Sequence, residues 1–152
     1  MPIFVNVMLP MHIFYCLNFY MTKQKIIIER ELITNSESIL WQLISTADGL
    51  ALWVADDVKL HGKTLEFTWG NVWSHHEIRQ AEILEKKKNK YIRFRWIDEV
   101  DDNAYIELKI LRTDLTNDFI LSITDFALSE DVEQLTGLWE DDLERLHRAT
   151  GM

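Results

Sequence analysis

Histidine and cysteine are the side chains best suited to bind a transition metal, and this chain has five histidines and one cysteine. His75 and His76 are adjacent, so on a strand they point to opposite faces and cannot bind the same ion. No two histidines have three residues between them, the spacing that places two ligands on one helix face, and Cys16 stands alone. The sequence therefore predicts no metal site, and nothing in it points to a cofactor.

The densest run of acidic residues lies at positions 98–103. It lacks the spacing, the central glycine and the terminal glutamate of a calcium loop. We interpret it as a connection between two strands with solvated carboxylates. Asp56 and Asp57 are interpreted as a turn, with weak cation binding as the alternative.

Catalytic chemistry has few candidate residues. The chain contains no Gly-x-Ser-x-Gly motif, which would mark a serine nucleophile. Acid–base catalysis by His75, His76 or Asp125 is the enzymatic alternative. Asp125 is in phase with Leu121 and Ile123, but we favour for it a position at the solvated rim of a strand. No catalytic residue is assigned, and a non-enzymatic protein is the favoured interpretation.

Arg93 and Arg95 alternate with Phe94 and Trp96, a mixture found in proteins that bind single-stranded nucleic acid. Alternation on a strand places the arginines on the opposite face from the rings. The net charge of −9 also disfavours binding to phosphates. We therefore predict no nucleic-acid partner.

Alternation of apolar and polar residues predicts several strands that each bury one face. The apolar positions of three such segments are Leu65, Phe67 and Trp69; Ile92, Phe94 and Trp96; and Ile106, Leu108 and Ile110. About seven strands result when the stretches at 24–33, 55–60, 78–84 and 119–126 are added. Their short connections require antiparallel neighbours.

Helices are expected after the first strand and at the end of the chain. Thr34 can cap the first helix, because Glu37 can reach back to it, and a further short turn of helix is expected at 50–53. Ser129 is the candidate cap of the last helix and Gly151 its candidate terminator. An apolar stripe runs along this helix at Val132, Leu135, Trp139, Leu143 and Leu146.

The sheet and the last helix each have one apolar side, and covering each other is the simplest way to bury both. The predicted fold class is α+β. It is a helix-grip arrangement, in which a curved antiparallel sheet of about six to seven strands wraps around a long C-terminal helix. Two short helices follow the first strand.

Residues 1–20 contain no Asp, Glu, Lys or Arg, and Pro2, Pro10 and His12 interrupt their apolar residues. They lack the basic start and the small-residue cleavage site of a signal peptide. An extension outside the fold, an additional packed element and a membrane anchor are the competing interpretations. We favour the extension, which leaves one domain over residues 21–152.

Three features carry a resemblance to a known family. They are Ser-Thr-Ala-Asp-Gly-Leu-Ala-Leu-Trp at residues 45–53, the strand pair at 65–70 and 91–96, and Leu138-Trp139 in the last helix. Together with the order of the elements, they resemble the START-like superfamily, also called SRPBCC. Within it the chain is similar to the branch related to activators of the ninety-kilodalton heat-shock ATPase, and to small bacterial START-like proteins.

The resemblance implies a cavity between the sheet and the last helix. Members of the superfamily hold lipids, sterols, polyketides or hormones there, and others bind proteins. By position, the predicted ligand-binding residues are Trp53, Phe67, Trp69, Phe94, Trp96, Ile106, Leu108, Ile123, Trp139 and Leu143. Folding alone also requires an apolar inner face, so a small apolar pocket and a filled core are both open.

Three functions follow as expectations. The first is non-enzymatic binding of a small hydrophobic ligand, lipid-like or aromatic. The second is a protein-interaction module of chaperone-accessory type, which would use the acidic outer face of residues 130–148. The third is a cyclase- or hydrolase-like enzyme. We expect a monomer or homodimer that does not associate with membranes, and the single cysteine fits the reducing cytoplasm.

Overall fold

The structure is a computed structural model that describes residues 22–71 and 73–152. The extension predicted at residues 1–20 lies outside the described residues. The strands are β1 (Gln24–Leu32), β2 (Asp57–His61), β3 (Thr64–Gly70), β4 (His76–Lys87), β5 (Tyr91–Trp96), β6 (Ile106–Arg112) and β7 (Phe119–Ala127). The helices are α1 (Glu37–Ser45), α2 (Ala47–Leu50) and α3 (Val132–Thr150).

The seven strands of the described residues form one curved antiparallel sheet in the order β1-β7-β6-β5-β4-β3-β2. From β2 to β7, strands that follow one another in the chain are neighbours in the sheet. Strand β1 is an edge strand and pairs with β7. With α3 against this sheet and α1 and α2 after β1, the predicted α+β helix-grip class is confirmed. None of the described helices is both long and apolar enough to span a membrane.

The inner face of the sheet is built from the alternating positions that the sequence indicated. Phe94 pairs with Ile106 across β5 and β6, and Leu108 pairs with Ile123 across β6 and β7. All four side chains are at most 2% exposed. Phe67 on β3 continues this surface and is fully buried. Pairs of large apolar side chains on one face stabilise the sheet and provide the surface that a helix must cover.

Helix α3 covers the β1 and β7 side of this face with the stripe expected from its spacing, and α1 packs against β5 and β6. Trp139, Leu143 and Leu146 are buried, and the ring of Trp139 lies 6.2 Å from that of Trp53, which follows α2. Burying a large aromatic or aliphatic side chain contributes about 1.5–3 kcal/mol. The helix therefore belongs to the same hydrophobic core as the sheet.

Two predicted helix caps differ from those observed. Ser36, not Thr34, caps α1, and its hydroxyl accepts a hydrogen bond from Ile39 N–H at 3.3 Å. Ser129 opens a short 3₁₀ turn before α3 and makes no capping hydrogen bond. Gly151 ends α3 as predicted, because its positive φ of 78° lets its N–H reach the carbonyl of His147.

The acidic run at 98–103 is not simply a solvated loop. The ammonium group of Lys23 lies 2.8 Å from the carboxylate of Glu99, whose side chain is only 7% exposed. The backbone N–H groups of Lys23 and Asn103 donate to Asp101 and lower the pKa of its carboxyl. These contacts tie the β5–β6 connection to the start of β1. The run does connect two strands as predicted, but the solvated interpretation is wrong for Glu99.

Candidate functional site

A cavity of about 330 Å³ lies between the inner face of the sheet and α3. Most of its wall is apolar, and the apolar residues that line it are Val54, Trp69, Phe94, Trp96, Ile106, Leu135, Leu138 and Trp139. Its polar residues are Glu77, Arg79, Asp125 and Asp142. An apolar cavity with a few convergent polar groups is the usual form of a small-molecule site.

Aromatic rings on β3 and β5 form one side of the cavity. The ring of Trp96 lies 6.2 Å from that of Trp69 and 6.1 Å from that of Phe94. Phe67 lies behind them and contacts all three, at centroid distances between 5.3 and 5.9 Å. The rings meet at tilted, edge-on and stacked angles, which are the favourable arrangements for aromatic pairs.

Hydrogen bonds from two indole groups hold the walls in place. The N–H of Trp69 donates to the carbonyl of Val54 at 2.9 Å. The N–H of Trp139, on α3, donates to the carboxylate of Asp125 at 2.8 Å. The first bond joins β3 to the turn after α2 and the second joins α3 to β7, so both bonds restrain the rotation of the rings.

Asp125 is a buried carboxyl on β7 that faces the cavity. It is 8% exposed, and its second oxygen accepts a hydrogen bond from Phe126 N–H at 2.7 Å. Burial raises the pKa of Asp125 to about 6, although the hydrogen bonds from Trp139 and Phe126 act in the opposite direction. The expected place at the solvated rim is wrong, because α3 packs against β7 and covers Asp125, where the Trp139 indole N–H donates to the carboxylate.

Asp142 is the second acidic group of the cavity wall, one helical turn after Trp139. Burial raises its pKa to about 7, an effect that Arg145 opposes and Asp141 reinforces. Arg145 itself binds the carbonyl of Ala55 at 3.0 Å and the carboxylate of Asp56 at 3.1 Å. Within the described residues, the Asp142 carboxyl has no hydrogen bond or ion pair of its own.

Glu77 and Arg79 bring charge to the cavity from β4. Arg79 stands opposite Phe67 and Glu77 opposite Trp69 in the register of β3 and β4, so both share the inner face of the sheet. The Arg79 guanidinium lies 4.1 Å from the centre of the Trp96 ring and donates to Asp98 at 2.9 Å. A neighbouring hollow of about 340 Å³ shares Arg79, Trp96 and Asp125 with the cavity.

The ten predicted ligand-binding residues divide into two groups of five. Those that line the cavity are Trp69, Phe94, Trp96, Ile106 and Trp139. Those that belong to the hydrophobic core without lining the cavity are Trp53, Phe67, Leu108, Ile123 and Leu143. The second group is at most 1% exposed, and it supports the cavity from behind.

The sequence interpretation missed most of the polar wall. Glu77, Arg79 and Asp142 were not singled out. Val54 and Leu138 were not among the predicted ligand-binding residues, although Leu138 was part of the resemblance. The available signal for Asp142 was its position three residues after Trp139, which places both on one helix face. Glu77 and Arg79 alternate in step with Ala81 on the same strand, so all three face the same side. Ala81 is fully buried, and this shared phase was the signal for the other two.

The candidates for metal binding and acid–base catalysis do not gather at this cavity. His75 and His76 are exposed before and at the start of β4, so among the three candidate catalytic residues Asp125 is the one that faces the cavity. In the part of the chain that the structure describes, no group of three or more His, Cys, Asp or Glu side chains is arranged to hold a metal ion.

The comparison with known families decides the relationship that the fold suggests. Residues 20–152 match the model of the START-like superfamily domain. The chain belongs to the START-like superfamily. None of the curated proteins matches it. The resemblance seen in residues 45–53 and in the order of elements is thereby confirmed.

Comparison with solved structures shows how far the likeness extends. A solution NMR structure of a protein from Bacteroides fragilis is 39% identical, with a TM-score of 0.56, and the match covers 83% of this chain and 90% of that one. The Aha1 dimer from Colwellia psychrerythraea is 16% identical, with a TM-score of 0.65, over 84% of this chain and 98% of that one. CalU16 from Micromonospora echinospora is 17% identical, with a TM-score of 0.63, over 83% and 75%. The last two show a shared fold alone.

Proposed function

We propose that this START-like protein binds a small hydrophobic molecule in the cavity between the sheet and α3, without catalysing its conversion. The observation that carries the proposal is the cavity of about 330 Å³ with eight apolar lining residues. START-like proteins often bind hydrophobic ligands, which supports the same function.

The size of the cavity restricts the ligand. Ligand pockets typically occupy about 300–1,000 Å³, so this cavity is at the small end of the range. An apolar cavity of roughly 150 Å³ suffices for benzene. A molecule of about one or two fused rings therefore fits better than a sterol or a long acyl chain.

The ligand would contact the five predicted residues that line the cavity. Trp69, Trp96 and Trp139 offer flat apolar surfaces, with Phe94 and Ile106 at the base. Two of these indoles are hydrogen-bonded before any ligand arrives. Binding then needs little additional ordering of side chains, which favours affinity. The remaining five predicted residues would act by holding these walls.

A variant at the mouth of the cavity tests the proposal. Leu138 lines the cavity and is 54% exposed, so Leu138→Trp should obstruct entry with little effect on folding. Leu84→Trp is the matched control, because Leu84 is 49% exposed on β4 and does not line the cavity. Titration calorimetry with small aromatic compounds should show binding by the parent and Leu84→Trp, and at least about tenfold weaker binding by Leu138→Trp. Equal affinity in all three proteins would contradict binding at this cavity.

A protein-interaction role is the second candidate, and the outer face of α3 favours it. Glu140, Asp141 and Glu144 are exposed there, and Glu130 and Glu133 extend the negative surface. Such a surface would attract a basic partner with an affinity that falls as salt rises. Capture from a native extract at low and high salt tests this role, and a set of captured proteins that salt leaves unchanged would count against it.

The assembly and location of the protein also remain proposals. One structural neighbour is a dimer. We propose a monomer or homodimer for this chain, and sedimentation at several concentrations would distinguish the two.

The single cysteine supports a cytoplasmic location, where thiols stay reduced. Fractionation of the native cells tests that location, and recovery in another compartment would contradict it.

A further inference from the structure

The polar wall of the cavity carries more negative than positive groups. Glu77, Asp125 and Asp142 contribute carboxyls, and Arg79 is the one basic residue in the described lining. The positive charge of Arg79 is already paired, because its guanidinium donates to the carboxylate of Asp98 at 2.9 Å, outside the cavity. The cavity is therefore short of positive charge.

Asp125, which is buried, and Asp142, which is half-buried, have unused capacity to accept hydrogen bonds. Each oxygen of Asp125 accepts one bond, from Trp139 or from Phe126, while a carboxylate has about four acceptor sites. Asp142 accepts none from the described residues, and the nearby Arg145 donates instead to Ala55 and Asp56. A donor group brought by a ligand would find acceptors on two sides of the cavity.

The aromatic rings of the apolar wall also favour a positively charged ligand. The faces of aromatic rings carry negative potential, and indole attracts cations most strongly. The structure contains an internal example, since the Arg79 guanidinium lies 4.1 Å from the centre of the Trp96 ring. Trp69 and Trp139 present further indole surface to the cavity.

We propose that the ligand of this cavity is a small aromatic amine that binds as its cation. Its ring system would lie against Trp69, Trp96 and Trp139, and its ammonium group would donate hydrogen bonds to Asp142 and Asp125. The inference rests on the proposed function and specifies the chemical class of the ligand. A cavity, an aromatic wall and carboxyls with free acceptor sites each support it separately.

Binding of a cation should also release protons. Burial raises the pKa values of Asp125 and Asp142 to about 6 and about 7, so both carboxyls are partly protonated near neutral pH. An ammonium group beside them favours the ionised form and lowers both pKa values. Before binding, Lys23 lowers and Glu99 raises the pKa of Asp125, while Arg145 lowers and Asp141 raises the pKa of Asp142.

Three probes of equal size and different charge test the proposal. They are naphthylmethylammonium, the neutral naphthylmethanol and the anion naphthoate. In titration calorimetry near neutral pH, the ammonium compound should bind about tenfold more tightly than the alcohol, and naphthoate most weakly. Measurements in buffers of different ionisation enthalpy should show proton release for the ammonium compound alone.

Variants on α3 test whether Asp142 produces the preference for the ammonium compound. Asp142→Asn should remove the tenfold preference for the ammonium compound and leave naphthylmethanol binding unchanged. Glu140→Gln is the matched control, because Glu140 is exposed on α3, does not line the cavity and is not among the groups that shift the pKa of Asp142. Equal affinity for ammonium compound and alcohol, or a preference for naphthoate, would overturn the cation proposal while cavity binding stands. Failure of all three probes to bind would contradict cavity binding itself.

Discussion

Asp125 joins the two layers of the fold through a buried hydrogen bond. Its carboxylate receives the Trp139 indole N–H from α3 and the Phe126 N–H from its own strand. A buried carboxylate is costly unless it is hydrogen-bonded, and these two bonds offset only part of the cost, because the pKa is still raised to about 6. The residue therefore links the stability of the protein to pH in the range where the cavity would work.

The pH dependence of stability tests this description of Asp125. A carboxyl whose pKa rises on folding, here from 3.8 to about 6, binds more protons when folded. Its stabilising contribution is thus complete below about pH 4 and is lost as pH rises through about 6. Asp125→Asn does not ionise, so its free energy of unfolding should increase relative to the parent by about 2–3 kcal/mol between pH 4 and pH 8.

Urea unfolding at several pH values provides the measurement, with Asp141→Asn as the control. Asp141 is exposed, so its replacement should change the free energy of unfolding by less than about 0.5 kcal/mol at any pH. If the difference between Asp125→Asn and the parent stayed constant from pH 4 to pH 8, the buried, raised-pKa description of Asp125 would be wrong.

Among the elements, the corner between α1 and α2 depends on a glycine. A Cβ atom at Gly49 would collide with the carbonyl oxygen of Gln42 and would lie 2.7 Å from the Cα of Leu43. These are backbone atoms of α1, so they cannot move aside without separating the two helices. The corner directs the chain toward Trp53 and Val54, which support and line the cavity.

A pair of glycine variants tests the role of this corner. Gly49→Ala should lower the free energy of unfolding by about 2–3 kcal/mol, because the methyl group overpacks two backbones. Gly137→Ala, within α3, should raise it by about 0.5–1 kcal/mol, because nothing lies within 4 Å of the new Cβ and alanine favours helix. Urea unfolding of both variants is the measurement. Similar effects of the two substitutions would contradict the close contact at Gly49.

The elements also show how far sequence alone predicts this protein. Regular alternation of apolar and polar residues identified β3, β5 and β6 together with their inner faces. Phe67, Phe94 and Leu108 are buried as predicted. On β4 the larger apolar residues Ile78 and Leu84 are exposed instead. The inner face of that strand carries Glu77 and Arg79, and a register shift between Ile83 and Glu85 interrupts it.

The polar wall escaped prediction for a physical reason. Whether a polar residue at the phase of the inner face is buried or at the rim depends on where α3 crosses the sheet. That crossing is fixed by tertiary contacts, such as those of Trp139 with Trp53 and Asp125. Sequence spacing shows which face of a helix is apolar, but it does not show which strand end that face covers. The sequence therefore predicted Asp125 at the rim and did not identify Asp142 as a cavity residue.

For the whole molecule, the central claim is that the layers of sheet and helix leave a binding cavity. The chain has six tryptophans, which makes this claim testable within a single protein. Trp69, Trp96 and Trp139 line the cavity, Trp53 lies in the core beside it, and Trp73 is 93% exposed away from it. Their indole N–H groups report separately on the cavity, the core and the surface.

The most direct measurement is an NMR titration of the ¹⁵N-labelled protein with naphthylmethylammonium and naphthylmethanol, following the indole N–H signals. Occupation of the cavity predicts saturable shifts at Trp69, Trp96 and Trp139, with the largest change at Trp139, whose N–H contacts Asp125. The Trp73 signal should remain in place. Saturable shifts confined to Trp73, or no saturable shift at any indole with either compound, would contradict a binding cavity beneath α3.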